Sequence, residues 1–217
     1  MSLLERIADT ALDMMAARLQ MPDPASFGDP LAQRIEWGPL KQGGSNFRTH
    51  QLEETSPGRL EVKRSLGYTA FGVGFIAVGL PVAIGLFPLG LLFGVPFVGV
   101  GVAVLWPRTK GFYGDAQQCR LGDRTIAFAE VHAVQVLEEL VSGGDSADYS
   151  SYELNLVLRD GERVNVADHG DYNRVRNDAG TIATMMRCPL WDAVAAPKLP
   201  REKVRELLEQ KARRPAG

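Results

Sequence analysis

The stretch Ser65–Pro107, SLGYTAFGVGFIAVGLPVAIGLFPLGLLFGVPFVGVGVAVLWP, runs for 43 residues without an Asp, Glu, Lys, Arg or His. A helix rises about 1.5 Å per residue and needs roughly 20 apolar residues to cross a hydrocarbon layer of about 30 Å. The stretch therefore has the length of two crossings. The segment GLFPLG, Gly85–Gly90, supplies the Gly and Pro of a turn between them. This predicts one helix over about Leu66–Leu86 and a second over about Leu89–Trp106. Tyr68 and Trp106 then fall at a shared interface, where amphipathic rings settle. Lys63 and Arg64 precede the first helix, Arg108 and Lys110 follow the second, and the connecting loop is uncharged. Positive flanks stay on the cytoplasmic side, so both termini are expected there, in a multi-pass arrangement.

Four pairs inside the stretch have small-xxx-small spacing: Ala70 with Gly74, Gly79 with Ala83, Gly90 with Gly94, and Gly99 with Ala103. Such spacing lets helix backbones approach closely, within the hairpin, between copies, or against another membrane subunit. Pro81 and Pro96 fall near the middle of each helix. With no ionisable group at depth, the hairpin reads as an anchor rather than a transport pathway.

Outside this stretch the chain is polar, so the mean hydropathy over all 217 residues is near zero. There are 24 Lys+Arg against 26 Asp+Glu, a net charge of −2. Without a basic excess, binding along a nucleic-acid backbone is excluded as a general activity. Cys119 and Cys188 stand far apart and in no metal-binding spacing, which argues against a zinc fold or a disulfide framework. No cofactor is expected. The expected partners are the lipid bilayer and either a membrane protein or a second copy of the chain.

Working outward, residues 1–21 read as an amphipathic helix. Ser2 and Glu5 form a capping box, and Leu3, Leu4, Ile7, Ala8, Ala11, Leu12, Met15 and Leu19 form the apolar stripe. Residues 22–33, with PDPASFGDP, read as a linker. Short strand patterns, RIEW, FRTHQLE and RLEVKR, fill 34–65, and the hairpin occupies 66–106. Strand patterns resume over 107–192 with GFY, QQCRL, TIAF and VHAVQVLEELV. The ends Glu61–Arg64 and Lys110–Tyr113 suit a strand that leaves for the bilayer and returns beside itself. Residues 193–217 read as a helical tail whose part Arg201–Arg214 carries six basic and three acidic residues.

The segment SYELNLVLRDGERVNV has the clearest local geometry. Tyr152, Leu154, Leu156 and Leu158 alternate with Glu153, Asn155, Val157 and Arg159, predicting a strand with one apolar face. A two-residue turn at Asp160-Gly161 would set Leu158 opposite Arg163 and mismatch the faces. A three-residue loop, Arg159 to Gly161 with Gly161 left-handed, sets Leu156 opposite Val164 and Leu154 opposite Val166. A helix from about Asp171 to Arg187 follows, capped by Asp171, with Tyr172, Val175, Ala179, Ile182, Ala183 and Met186 at helical spacing. The predicted class is α+β: a two-helix transmembrane hairpin attached to or inserted in an antiparallel sheet or barrel, capped by a C-terminal helix.

The run from TIAFAEVHAVQVL through YELNLVLRDGERVNVADHG to DAGTIATMMRCPLWD resembles bacterial pleckstrin-homology-like domains found on small membrane proteins. The resemblance covers about Thr109–Asp192. It implies a seven-stranded barrel-like sheet closed by a helix, no catalytic residues, and a home in the bacterial cytoplasmic membrane.

The chemically suggestive residues each have a plainer reading. Asp168-His169-Gly170-Asp171 could ligate a metal, but a strand-to-helix junction calls for the same Asp caps and Gly turns. Glu138 and Glu139 are adjacent on a strand and point to opposite faces, so they form no catalytic dyad. GGSNF lacks the surroundings of a serine nucleophile. The expectation is therefore a membrane-anchored, non-enzymatic interaction module, an accessory, scaffolding or assembly subunit of a larger complex. The alternative is a sensor of lipid headgroups. Lys63, Arg64, Tyr68, Trp106, Arg108 and Lys110 are the expected membrane-interface residues.

Overall fold

The fold is taken from a computed structural model, which describes residues 10, 21–40, 42–46, 49–106, 110–142 and 147–213. The expected N-terminal helix falls outside the described residues apart from Thr10 and Met21, as does Arg108. The chain divides into two compact units, Pro39–Leu190 and a smaller one made of Met1–Gly38 with Trp191–Gly217. Among the described residues the class is α+β, with two sheets and four α-helices.

In the larger unit the first sheet is an antiparallel meander of β1 (His50–Ser56), β2 (Arg59–Arg64), β3 (Lys110–Tyr113), β4 (Gln118–Leu121) and β5 (Arg124–Ala127). Between β2 and β3 lie α1 (Leu66–Gly85) and α2 (Gly90–Leu105), the helical hairpin. The two strands flanking this insertion are direct partners, with Arg59 opposite Tyr113, Leu60 opposite Phe112 and Glu61 opposite Gly111. The apolar row continues across the sheet, Phe112 facing Cys119 and Cys119 facing Ile126, and Leu60, Phe112, Cys119 and Ile126 are all buried. A period of two on every strand puts one such row into the core.

The second sheet is built from β6 (Val131–Val141), β7 (Tyr149–Leu158) and β8 (Arg163–His169), in the order β8-β7-β6. At the β6 edge the chain returns through Pro189, whose carbonyl accepts from the Val134 amide at 2.9 Å, and β9 (Leu190–Asp192) begins. The barrel expected from the family resemblance is not formed. Closing one needs a continuous ladder from strand to strand. Here the ladder ends at β5, a 3-10 turn over Phe128–Glu130 redirects the chain, and β6 starts a separate, open sheet.

The β7–β8 turn is a three-residue loop. The Leu158 amide donates to the Glu162 carbonyl at 2.8 Å, and Gly161 has φ +93°, in the left-handed region that favours glycine. Leu156 faces Val164 as the alternation required. Leu154 faces Ala167 instead of Val166, because a bulge between Leu154 and Asn155 inserts one residue in β8. The face of β7 opposite its leucines is also covered: Glu153 and Asn155 are buried.

Helix α3 (Tyr172–Met186) packs on β6 and β7 through Val175, Ala179, Ile182, Ala183 and Met186, all buried. Asp171 caps it, its carboxylate accepting from the Arg174 amide at 3.3 Å.

The smaller unit contains residues read as a linker, which are in fact partly packed. Phe27 stacks on Trp37 at 4.8 Å, and both rings lie 6.1 Å from Trp191. Trp37 is buried and donates through Nε1 to the Ala32 carbonyl at 2.8 Å. Leu31 and Ala32 at the end of the stretch read as a linker are buried, and Trp37 is buried in a turn-and-bend segment where RIEW was expected to form a strand. The tail helix α4 (Arg201–Arg213) buries Val204.

Candidate functional site

The base of the hairpin gathers most of the residues expected at an interface. Ser65 caps α1: its amide donates to the Thr49 carbonyl at 2.9 Å and its Oγ accepts from the Tyr68 amide at 3.1 Å. At the end of β2, Arg64 reaches the last turn of α2, donating to the Leu105 carbonyl at 3.1 Å and to the Trp106 carbonyl. The final carbonyls of a helix have no intrahelical donor, and a cation there also opposes the helix dipole. One residue thus ties the exit of the hairpin to its entrance. Lys110, the first residue of β3, donates through Nζ to the Val166 carbonyl of β8 and so joins the two sheets. Thr49 does the same through Oγ1 to the Asp168 carbonyl at 2.7 Å.

Beside this junction lies an open cleft of about 610 Å³. Its floor is polar, with Arg59, Lys63, Arg64, Lys110 and Glu61, and its wall on α2 is Val100, Ala103 and Val104. Arg59 pairs with Glu61 at 3.3 Å and lies 4.8 Å over the Tyr113 ring, while Lys63 pairs with Glu53 at 3.0 Å. Tyr68 stands 6.0 Å from the His50 ring, and Trp106 is 63 % exposed at the rim.

Higher in the hairpin the eight small residues divide. Gly79, Ala83, Gly90 and Gly94 are buried between the helices. A Cβ on Gly94 would stand 2.5 Å from the Gly79 carbonyl oxygen and the Ala83 amide nitrogen. Ala70, Gly74, Gly99 and Ala103 are exposed and lie outside that seam. Two glycines that no pair motif marked complete it: a Cβ on Gly72 would meet Val104 at 2.8 Å, and one on Gly101 would meet the Gly72 carbonyl at 2.6 Å. Their partner is on the other helix, so spacing along one helix does not find them.

A second polar locus was not expected. On β6 and β7, Glu153, Asn155, Gln135 and Ser151 are buried. The Glu153 carboxylate accepts from the Leu40 backbone amide at 3.0 Å and from Asn155 Nδ2 at 2.5 Å. The two oxygens of Glu139 accept from the Gly43 and Gly44 amides at 2.9 and 3.0 Å, and Ser151 Oγ accepts from the Ser45 amide at 2.8 Å. The backbone donors of Leu40, Gly43, Gly44 and Ser45 are therefore taken by side chains of β6 and β7. The GG of GGSN permits this: a Cβ on Gly44 would fall 2.2 Å from Ser151 Oγ, inside the hydroxyl.

The turn Asp168–Asp171 is occupied structurally. Asp168 accepts from Asn165 at 3.0 Å, His169 Nδ1 accepts from the Asp171 amide at 2.8 Å, and Asp171 caps α3. Among the described residues no group of three His, Cys, Asp or Glu stands where it would hold a metal ion. Burial pushes the Cys119 thiol up to about 12 and the Cys188 thiol up to about 11, so neither is primed as a nucleophile. Burial, then the nearby Glu138, raises the Tyr152 phenol. Arg124 clasps Glu162 through both guanidinium nitrogens and lowers its carboxyl below the ordinary range. This sequence matches no protein-family model and no curated protein.

Proposed function

We propose that this chain is a membrane-anchored, non-enzymatic interaction module of the bacterial cytoplasmic membrane. Its hairpin sits in the bilayer, its sheets and both termini lie on the cytoplasmic side, and it acts as an accessory, scaffolding or assembly subunit of a larger membrane complex. One observation carries the reading: a hairpin with no charged side chain presents its apolar residues outward, Leu92 being 70 % and Phe93 67 % exposed. Burying such a surface in water-free surroundings is worth about 25 cal/mol per Å², and a soluble chain rarely leaves so much uncovered.

Of the described helices, α1 has the length and composition to cross a membrane. Helix α2, with 16 residues, spans about 24 Å at 1.5 Å per residue. It is shorter than the second crossing expected from Leu89–Trp106. A short apolar helix is accommodated by local thinning of the bilayer or by association with other helices, and the latter suits a subunit of an assembly. The sheet β6–β8 with α3 across it is the part that supports the likeness to bacterial pleckstrin-homology-like domains. The basic cleft at the hairpin base favours a second reading, recognition of lipid headgroups.

Gentle affinity purification from native membranes, with mass spectrometry and a native mass, tests the proposal. A stoichiometric membrane-protein partner is the expected result. Recovery of a partner-free monomer under mild detergent overturns it.

A further inference from the structure

We infer that the cleft at the hairpin base binds the phosphate of an anionic phospholipid, whose acyl chains run along α2. The inference rests on the hairpin being in a bilayer. The shape of the cleft is that of an amphiphile. Its floor has four basic residues, Arg59, Lys63, Arg64 and Lys110, and one carboxylate, Glu61. Its wall, Val100, Ala103 and Val104, continues into the exposed apolar surface of the hairpin, Val100 itself being 44 % exposed.

Lys110 is already committed to the neutral Val166 carbonyl through Nζ, while the charges of Arg59, Lys63 and Arg64 remain usable. Arg64 donates to two backbone carbonyls, which are neutral, so its positive charge is oriented but not cancelled. The pairs Arg59–Glu61 and Lys63–Glu53 involve side chains between 31 % and 50 % exposed. Ion pairs at that exposure are weak and screened, and a phosphate oxygen competes with a carboxylate for the same donors. Tyr68 and Trp106 line the cleft together with the basic residues and the α2 valines. Aromatic rings in such company are characteristic of the headgroup layer, where anionic lipids draw basic residues. A free phosphate would fit the floor equally well but would leave the wall bare, which is why a lipid is the occupant assigned.

The test uses the full chain, delipidated in an uncharged detergent and titrated with brominated phosphatidylglycerol or brominated phosphatidylcholine while tryptophan fluorescence is followed. Trp37 and Trp191 are 8 % and 1 % exposed against 63 % for Trp106, so quenching reports the rim of the cleft. Phosphatidylglycerol is expected to quench at a lower mole fraction than phosphatidylcholine, by about fivefold for each charge engaged. The K63Q/K110Q variant should lose that difference, and K63R/K110R should keep it with an unchanged near-UV circular dichroism spectrum.

Equal quenching by the two lipids overturns the site. So does loss of the preference in the tail variant R201Q/K203Q instead of K63Q/K110Q. Displacement of phosphatidylglycerol by millimolar glycerol 3-phosphate or inorganic phosphate identifies a free-phosphate site and overturns the lipid assignment. Flotation of the chain with pure phosphatidylcholine vesicles tests the anchor separately: failure to float removes the membrane reading, whereas flotation without a phosphatidylglycerol preference removes the cleft alone.

Discussion

Gln135 is fully buried on β6, and its Nε2 has no hydrogen-bond partner among the described residues. Its Oε1 accepts only a long bond, 3.4 Å, from Asn155. A buried donor left unmade costs about 1–3 kcal/mol, so Gln135→Met, similar in volume, is expected to raise stability by about 1 kcal/mol in chemical denaturation. A loss of similar size would show that the amide is used by a group bound there. Cys119 gives a pH prediction. Its thiol titrates near 12 when folded against 9.0 when unfolded. The folded state holds this proton more tightly, so the stabilisation is complete below pH 9 and is lost as pH rises from 9 towards 12. At pH 8 native Cys119 should react with a disulfide reagent on the order of a thousandfold more slowly than in the denatured chain; equal rates would contradict the burial. The caps and turns at this scale were legible, because Asp171 and Gly161 act on their own neighbours in sequence. The buried polar row was not. Alternation puts Glu153 and Asn155 on the face opposite the leucines but says nothing of the distant Leu40 amide that Glu153 accepts from, or of the Asn165 side chain that donates to Asn155.

At the scale of elements, the hairpin is a seam of backbone against backbone, and its weakest points are where that contact is closest. Gly94→Ile places a branched side chain against the Gly79 carbonyl and the Ala83 amide. It is expected to cost more than about 3 kcal/mol and to separate the helices. A Cβ on Gly74 or Gly99 meets nothing within 4 Å, so Gly74→Ile or Gly99→Ile should leave the hairpin folded. Helical content and thermal unfolding in detergent distinguish the two classes, and equal damage from Gly74→Ile would place the seam elsewhere. Arg64→Gln removes a charged donor from the end of α2. Hydrogen bonds of this kind contribute about 1.5–3 kcal/mol, and less where solvent competes. The expected sign is faster proteolysis just after Trp106, and an unchanged cleavage rate would mean the cap is not holding the helix. The existence and turn of the hairpin were readable from charge avoidance and Gly-Pro punctuation. Which face packs was only half readable: small-xxx-small spacing exists on both faces of each helix, and the choice between them depends on the rotation of the partner.

For the molecule as a whole, the register of β2 against β3 makes the hairpin an insertion into a sheet that does not require it. Leu60 faces Phe112 and Glu61 faces Gly111, so the same alignment carried one step further sets Val62 opposite Lys110. Two residues in antiparallel partners at that separation are joined by a two-residue turn, for which Asn-Gly has the right left-handed backbone. Replacing residues 63–109 by Asn-Gly should therefore close β2 directly onto β3. The excision gives up the β1 pairings of Arg64 and Lys63, with His50 and Gln51, but retains the buried row Leu60, Phe112, Cys119 and Ile126. A monomeric protein is expected, purified without detergent, with the strand content of the parent and a cooperative unfolding transition. It should no longer float with phosphatidylcholine vesicles. The sequence already hinted at this junction in the matched strand ends Glu61–Arg64 and Lys110–Tyr113, but the resemblance implied one barrel-like sheet where the chain forms two open sheets. That division is set by the 3-10 turn at Phe128–Glu130, too short to have a period of its own. If the shortened chain folds and stays in water, membrane attachment resides in the hairpin and the sheets are a separate platform for partners. If it aggregates or unfolds, the hairpin is part of the core that holds the sheets, and the separation of anchor from platform fails.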